Sequence, residues 1–517
     1  MDEFKLEVHR HRLQGISREM GIVLQRTAFS PNIKERRDFS CALVDHQGRL
    51  VSQAAHIPVH LGAIPAIMRS FLDEISTPQP GHGYLTNDPY QGGTHLPDIT
   101  LIVPWFEQGK LKGFLLNRAH HTDIGGAQSG SMAPQTHIDD EGFRTGPRNV
   151  LRDHHLNVSS VDDLLEMSRT PEERVTDLEA QVASAHRGKE RIQEWYKQIE
   201  DDSSEIFEGL IQYTETYTRR LIAELPNGTY RAKDVMDGDG IDTMDILLKV
   251  EMTVSDETIR FDFSDSADQV QGNINAPRAV TASSTYYIMQ CLLPETVPVN
   301  EGVLRPIKID TRSGSILDAK YPSAVAGGNV ETSQRVVDLL LKAFSEAIPA
   351  EVPADSQGTM NNVTMGWDDH GRTDTYYETL GGGAGGGPDY GGVSGRQVHM
   401  TNTRNTPIED FERTIPLLVE KLQLRNGSGG RGKHSGGDGL VKQWGALREV
   451  EIGLLSERRI HCPTGREGGF SGEPGVQWKI REDGTREQIK GKSVFTLKPG
   501  QSFRLETPGG GGWGETE

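Results

Sequence analysis

The sequence predicts an α+β (mixed α/β) fold in several lobes, with a helical region between a mixed amino-terminal lobe and β-rich lobes that carry glycine-rich loops. Three observations lead there. Residues 159–223 are charged, poor in Gly and Pro, and apolar at three- and four-residue steps, which is the period of a helix. After Pro226-Asn227-Gly228 the period falls to two, as in Ile246-Leu247-Leu248-Lys249-Val250-Glu251 and Ile259-Arg260-Phe261-Asp262-Phe263, the mark of half-buried strands. Beyond a predicted helix over 333–348 the glycines concentrate, as GGGAGGG at 381–387, GSGGRGKHSGGDG at 427–439 and GGGGWG at 509–514.

Along the chain, 7–23 has helix-like spacing, and 38–50 reads as a hairpin around Asp45-His46-Gln47-Gly48. Residues 60–75 repeat at the helical period, whereas 99–106 and 111–117 are apolar runs of strand length joined at Gln108-Gly109. The helical region should break near Thr170-Pro171 and near Gly188. Glycine tracts permit positive φ or close backbone approach, so they read as loops, bulges or tight packing between strands. The expected lobes are 1–158 with the polar motifs, 159–228 helical, 229–330 β-rich, and 331–517 glycine-rich α/β; a chain of 517 residues exceeds what one core usually holds.

A formal charge of −19 repels phosphate backbones, and no Lys/Arg stripe interleaved with aromatics offsets it, which argues against a nucleic-acid partner. Three scattered cysteines, Cys41, Cys291 and Cys462, make no disulfide framework and point to a reducing compartment. The amino terminus lacks a secretory pattern, and no run approaches the roughly 18 apolar residues of a spanning helix. A soluble, cytoplasmic protein without a membrane partner is expected.

The chemistry concentrates in NDPYQGGTHLPD at 87–98 and RAHHTDIGG at 118–126, which bracket the predicted 99–117 hairpin. An antiparallel pair brings its two ends together, so Asp98 before the first strand should meet His120 after the second. His95 and Asp98 in HxxD, with His120, make two imidazoles and one carboxylate, a set that suits manganese, zinc or ferrous iron and leaves positions open for water or substrate. Asp88, His121 and Asp123 are expected beside them to orient ligands or move protons. His56 and His60 are four apart, but Pro58 spoils the helix that would align them, so they read as pocket wall. The competing reading, that these residues are turn formers in Gly/Pro-rich loops, fits each one singly and fits the cluster poorly.

GSGGRGKH at 427–434 matches GxxxxGK but ends in His where a P-loop needs Ser or Thr, and glycine follows where a helix should start. No nucleotide cradle is therefore expected in this chain. No GxSxG elbow is present either.

NIKERRDFS at 32–40, HIPVHLG at 56–62, the two motifs above, FSDSADQVQGNIN at 263–275, AGGNVETSQR at 326–335, GGDG at 436–439 and ETPGGGGWG at 506–514 closely resemble the hydantoinase B/oxoprolinase family over nearly the whole chain. The resemblance implies the metal-binding subunit of an ATP-dependent cyclic-amide hydrolase. It also implies an actin-like hydantoinase A-type partner that binds ATP and magnesium, in a hetero-oligomer such as a dimer of heterodimers. Family ligands fall on His95, Asp98 and His120, and Glu35 is implied near the substrate, a small cyclic amide. The family also contains ketone carboxylases, and a non-catalytic scaffold subunit is a further alternative.

Overall fold

The computed structural model describes residues 3–54, 57–60 and 62–516. The amino-terminal part is built on a six-stranded antiparallel sheet ordered Leu50–Ala54, Phe39–Asp45, Lys110–His120, Asp98–Glu107, Tyr84–Thr86 and Arg148–Asn149. Its central strands are covered on both faces, which explains their almost unbroken apolar sequences. Cys41, Leu43 and Leu115 face the helices Glu3–Thr27 and Pro171–Tyr196, while Ala42, Val44, Phe114 and Leu116 face the helix Ala63–Glu74. The expected hairpin turn is present, with Gln108 at φ 50° and Gly109 at φ 75°. Two successive positive φ values match the right-handed twist of the strands they join.

The 38–50 hairpin is also present, its turn closed by the Asp45 carboxylate, which accepts from Gln47 N and Arg49 N. The helical region breaks at Thr170-Pro171 as expected. It does not break at Gly188, because that glycine is a contact point: a Cβ there would lie 2.5 Å from Met20 Sδ on the helix Glu3–Thr27. Pro171–Tyr196 is thus packed against the first sheet.

The next sheet has four strands, Gly228–Gly238, Met244–Ser255, Thr258–Asp262 and Ile307–Asp310, the last pair parallel. It packs on the helices Arg278–Leu292 and Ser333–Ala347. Arg278–Leu292 carries no clear apolar stripe because it is buried nearly all round, its Thr281 and Ser284 hydroxyls bonding to backbone carbonyls. Periodicity alone therefore does not reveal it. The remaining chain forms a four-stranded and a five-stranded antiparallel sheet around Trp444, Phe503, Ile452 and Met365.

The three glycine tracts form one bundle packed backbone to backbone. Gly383 N donates to Pro508 O, Gly386 N to Gly511 O, Gly437 N to Ala384 O and Gly510 N to Gly437 O. A Cβ on Gly510 would lie 2.0 Å from Ala384 O and one on Gly383 1.9 Å from Gly437 O, so the segments approach closer than any side chain allows. The P-loop-like GSGGRGKH belongs to this bundle. Among the described residues all three cysteines are free, and no helix is long and apolar enough to cross a membrane.

Candidate metal centre

The hairpin register pairs Asp98 directly with His120 across the two strands. The turn Asp98 N to His95 O carries His95 back over the same point, and His120 N donates to Asp38 O in the neighbouring loop. As a result His95 Nε2 lies 3.0 Å and His120 Nδ1 3.4 Å from Asp98 Oδ1. The three donor atoms all lie within 4.8 Å of one another, and all three side chains are buried.

These residues fit a divalent cation. Two donors about 2.1 Å from one ion at tetrahedral or octahedral angles stand about 3.0–3.4 Å apart, the spacing seen here. Asp98 Oδ1 accepts no directed hydrogen bond, although it is buried. Burial alone would raise its pKa, but His95, His60 and His120 outweigh it and hold the carboxylate well below its ordinary range. Burial lowers the His120 pKa, which keeps its imidazole neutral with a lone pair to give.

His60, on the short turn Pro58–His60, joins the cluster: its Nε2 is 3.3 Å from Asp98 Oδ2 and its Nδ1 3.0 Å from Ser40 Oγ. Thr94 Oγ1 donates to the same Oδ2 at 2.6 Å, so Asp98 Oδ2 is held while Oδ1 is left for a ligand. His56 lies outside the described residues.

Three other expected neighbours are turned elsewhere. His121 follows His120 in an extended segment and so faces the opposite side, where its Nε2 meets Gln181 Oε1 at 3.0 Å; burial and then the Arg174 charge push its pKa down to about 4. Asp123 ties its own loop, accepting from Gly125 N, Gly130 N and Arg169 Nη1. Asp88 caps the turn Pro89–Gln91 and accepts from Arg144 Nη1 at 2.9 Å. Glu35 ends the short helix Pro31–Lys34, half-buried, next to Arg36.

Two residues bordering the cluster escape a sequence reading. The ring of Tyr377 stacks on His120 at 5.1 Å between centroids and 16° between planes, with the Arg36 guanidinium 4.6 Å from the Tyr377 centroid. Asn329 lies in the π-helical turn Gly328–Thr332, its Nδ2 3.2 Å from His95 Nε2. The AGGNVETSQR motif contains Asn329 but says nothing of what it touches. A second acidic cluster, Asp234, Asp338 and Asp355, is compensated by Arg335, Lys342, Arg458 and Arg466, and is an ion-pair network rather than a cation site.

Fold and site together define an α+β protein with a buried two-histidine, one-aspartate candidate centre. The hydantoinase B/oxoprolinase family model matches residues 2–516. The chain is 39% identical, over 99% of its length, to 5-oxoprolinase 1 of Arabidopsis thaliana, and that match covers 42% of the plant protein. It is 30% identical to a chain of Pseudomonas sp. (strain NS671) named as one component of a putative D-/L-hydantoinase, covering 99% of this chain and 90% of that one. The fold is shared with the ATP-dependent caprolactamase of Pseudomonas jessenii, with TM-score 0.92, 23% identity, and coverage of 100% and 91%. It is also shared with a nucleotide-free acetone carboxylase, with TM-score 0.90, 18% identity, and coverage of 99% and 76%. This chain belongs to the hydantoinase B/oxoprolinase family.

Proposed function

We propose that this chain is the metal-binding catalytic component of an ATP-dependent cyclic amidase that opens a hydantoin, oxoproline or lactam ring. The observation that carries the reading is the convergence of His95, Asp98 and His120 on one buried point; membership of a family with relatives named for such activities supports the substrate class. A ring amide resists water because nitrogen donates into the carbonyl. Phosphorylation of the amide oxygen by ATP, bound by an actin-like hydantoinase A-type partner, would make the carbon electrophilic. Water then adds, the ring C–N bond breaks with nitrogen taking a proton, and the resulting acyl phosphate is hydrolysed to carboxylate and phosphate.

In this scheme His95, Asp98 and His120 hold a manganese, zinc or ferrous ion, which when bound supplies Lewis acidity toward water and carbonyl oxygen. His60 and Thr94 fix the Asp98 carboxylate. Tyr377 holds the plane of the His120 ring. Glu35 is the candidate proton relay, while His121 and Asp123 serve the fold around the centre.

The test is to co-purify the chain with an actin-like partner, measure bound metal, and screen hydantoins, oxoproline and lactams for substrate-dependent ADP release. Ketone carboxylation is the second reading, favoured by the shared fold with acetone carboxylase, and bicarbonate dependence of ADP release would select it. A stoichiometrically metal-free, fully active assembly would overturn the metal assignment.

A further inference from the structure

We propose that Asn329 is a fourth protein ligand to the cation, giving its amide oxygen from the turn Gly328–Thr332. The inference rests on the metal reading of the site and adds a donor to it. Asn329 is 3% exposed, and its Oδ1 is buried without a hydrogen-bond partner. Turning that oxygen toward an ion therefore breaks no hydrogen bond of its own.

The other half of the amide makes the stronger argument. Asn329 Nδ2 lies 3.2 Å from His95 Nε2, the nitrogen that faces Asp98 Oδ1 at 3.0 Å. That nitrogen has one position for a proton or a lone pair. Given to a cation, the lone pair cannot also accept an amide N–H. Beside a bound cation, then, an N–H group is the wrong neighbour and an oxygen is the right one. A half-turn of the amide exchanges the two atoms at almost no change in shape. It puts Oδ1 beside the ligand nitrogen at a spacing between the 3.0 and 3.4 Å of the other donor pairs.

The backbone is built to deliver this side chain. π-helical turns are rare and concentrate at functional sites. Here the turn is pinned by Ser333 Oγ donating to Asn329 O at 2.6 Å and by the Thr332 hydroxyl donating to Ile274 O. Two nitrogens and two oxygens, one of the oxygens a neutral amide, suit manganese, zinc or ferrous iron and disfavour soft cuprous copper.

The experiment uses the full chain with Mn²⁺, Zn²⁺ and Co²⁺ as probes, reading affinity by chelator competition and ligand geometry by Co²⁺ visible absorption. Asn329→Ala should weaken binding by about 10- to 100-fold or more and change the Co²⁺ bands. Asn329→Asp should retain tight binding with altered bands, because a carboxylate replaces the amide on the ion. Thermal unfolding of each variant monitors the fold. Wild-type affinity and wild-type bands in either variant would overturn the assignment of Asn329. A wild-type chain that takes up no stoichiometric ion would overturn the metal reading itself, which separates the two failures.

Discussion

Gly328→Ala tests whether the backbone approach that delivers Asn329 is as tight as the structure requires. A Cβ at position 328 would stand 1.9 Å from Asn275 O, 2.4 Å from Asn275 C and 2.8 Å from Ala276 Cα. All three are backbone atoms, so no rotamer change relieves the clash. Ordinary contact begins at 3.4 Å, so the segments must part by about 1.5 Å. Asn275 cannot yield readily, because its Nδ2 donates to the carbonyls of Val270, Gly272 and Ala324 and its Oδ1 accepts from Val270 N. The π-turn must move instead, carrying Asn329 away from His95. Overpacking of this kind costs about 1–3 kcal/mol, a factor of roughly 5–150 in the folding equilibrium. Urea unfolding should show the loss, and chelator competition should show weaker metal binding in the protein that remains folded. Gly328→Ala with wild-type stability and wild-type metal affinity would refute the reasoning.

His120→Ala removes an imidazole donor and should reduce metal affinity by at least about 100-fold, with ring opening lost in parallel; inductively coupled plasma analysis of the dialysed protein reads the occupancy. His121→Ala, one residue on, should retain metal but lose about 1–3 kcal/mol of stability through the orphaned Gln181 and the cavity, so urea unfolding and metal content should respond oppositely to the His120 variant. Burial pushes the Glu141 pKa from 4.5 up to about 8 against the pull of the Ala326 and Val325 amides. A raised carboxyl stabilises the fold fully below about pH 4.5 and loses that contribution as pH rises toward 8. Glu141→Gln should therefore flatten the decline in stability over pH 5–8 by up to about 1.4 kcal/mol per pH unit, and unchanged slopes in urea titrations at several pH values would count against it.

The sequence by itself determined the elements whose causes are local. A two-residue Gln108-Gly109 turn closes the hairpin by pairing Glu107 with Lys110, and a one-residue bulge between Trp105 and Phe106 then shifts the register so that Asp98 meets His120 rather than Ala119. His95 then follows, because HxxD keeps it within one turn of Asp98. Period-two alternation likewise implies that His120 and His121 face opposite sides, yet it does not say which side is the centre. Only the packing of Pro171–Tyr196, which offers Gln181 to His121, decides that. Asp88 and Asp123 share the same polar motifs, and nothing in the motifs reveals that Arg144 and Arg169 claim them. Tyr377 and Asn329 reach the centre from 257 and 234 residues beyond His120 and His95, because separate sheets and a π-turn dock there. The glycine tracts repeat the lesson: their composition announces close approach, but which backbone each one meets is fixed by three distant segments packing at once.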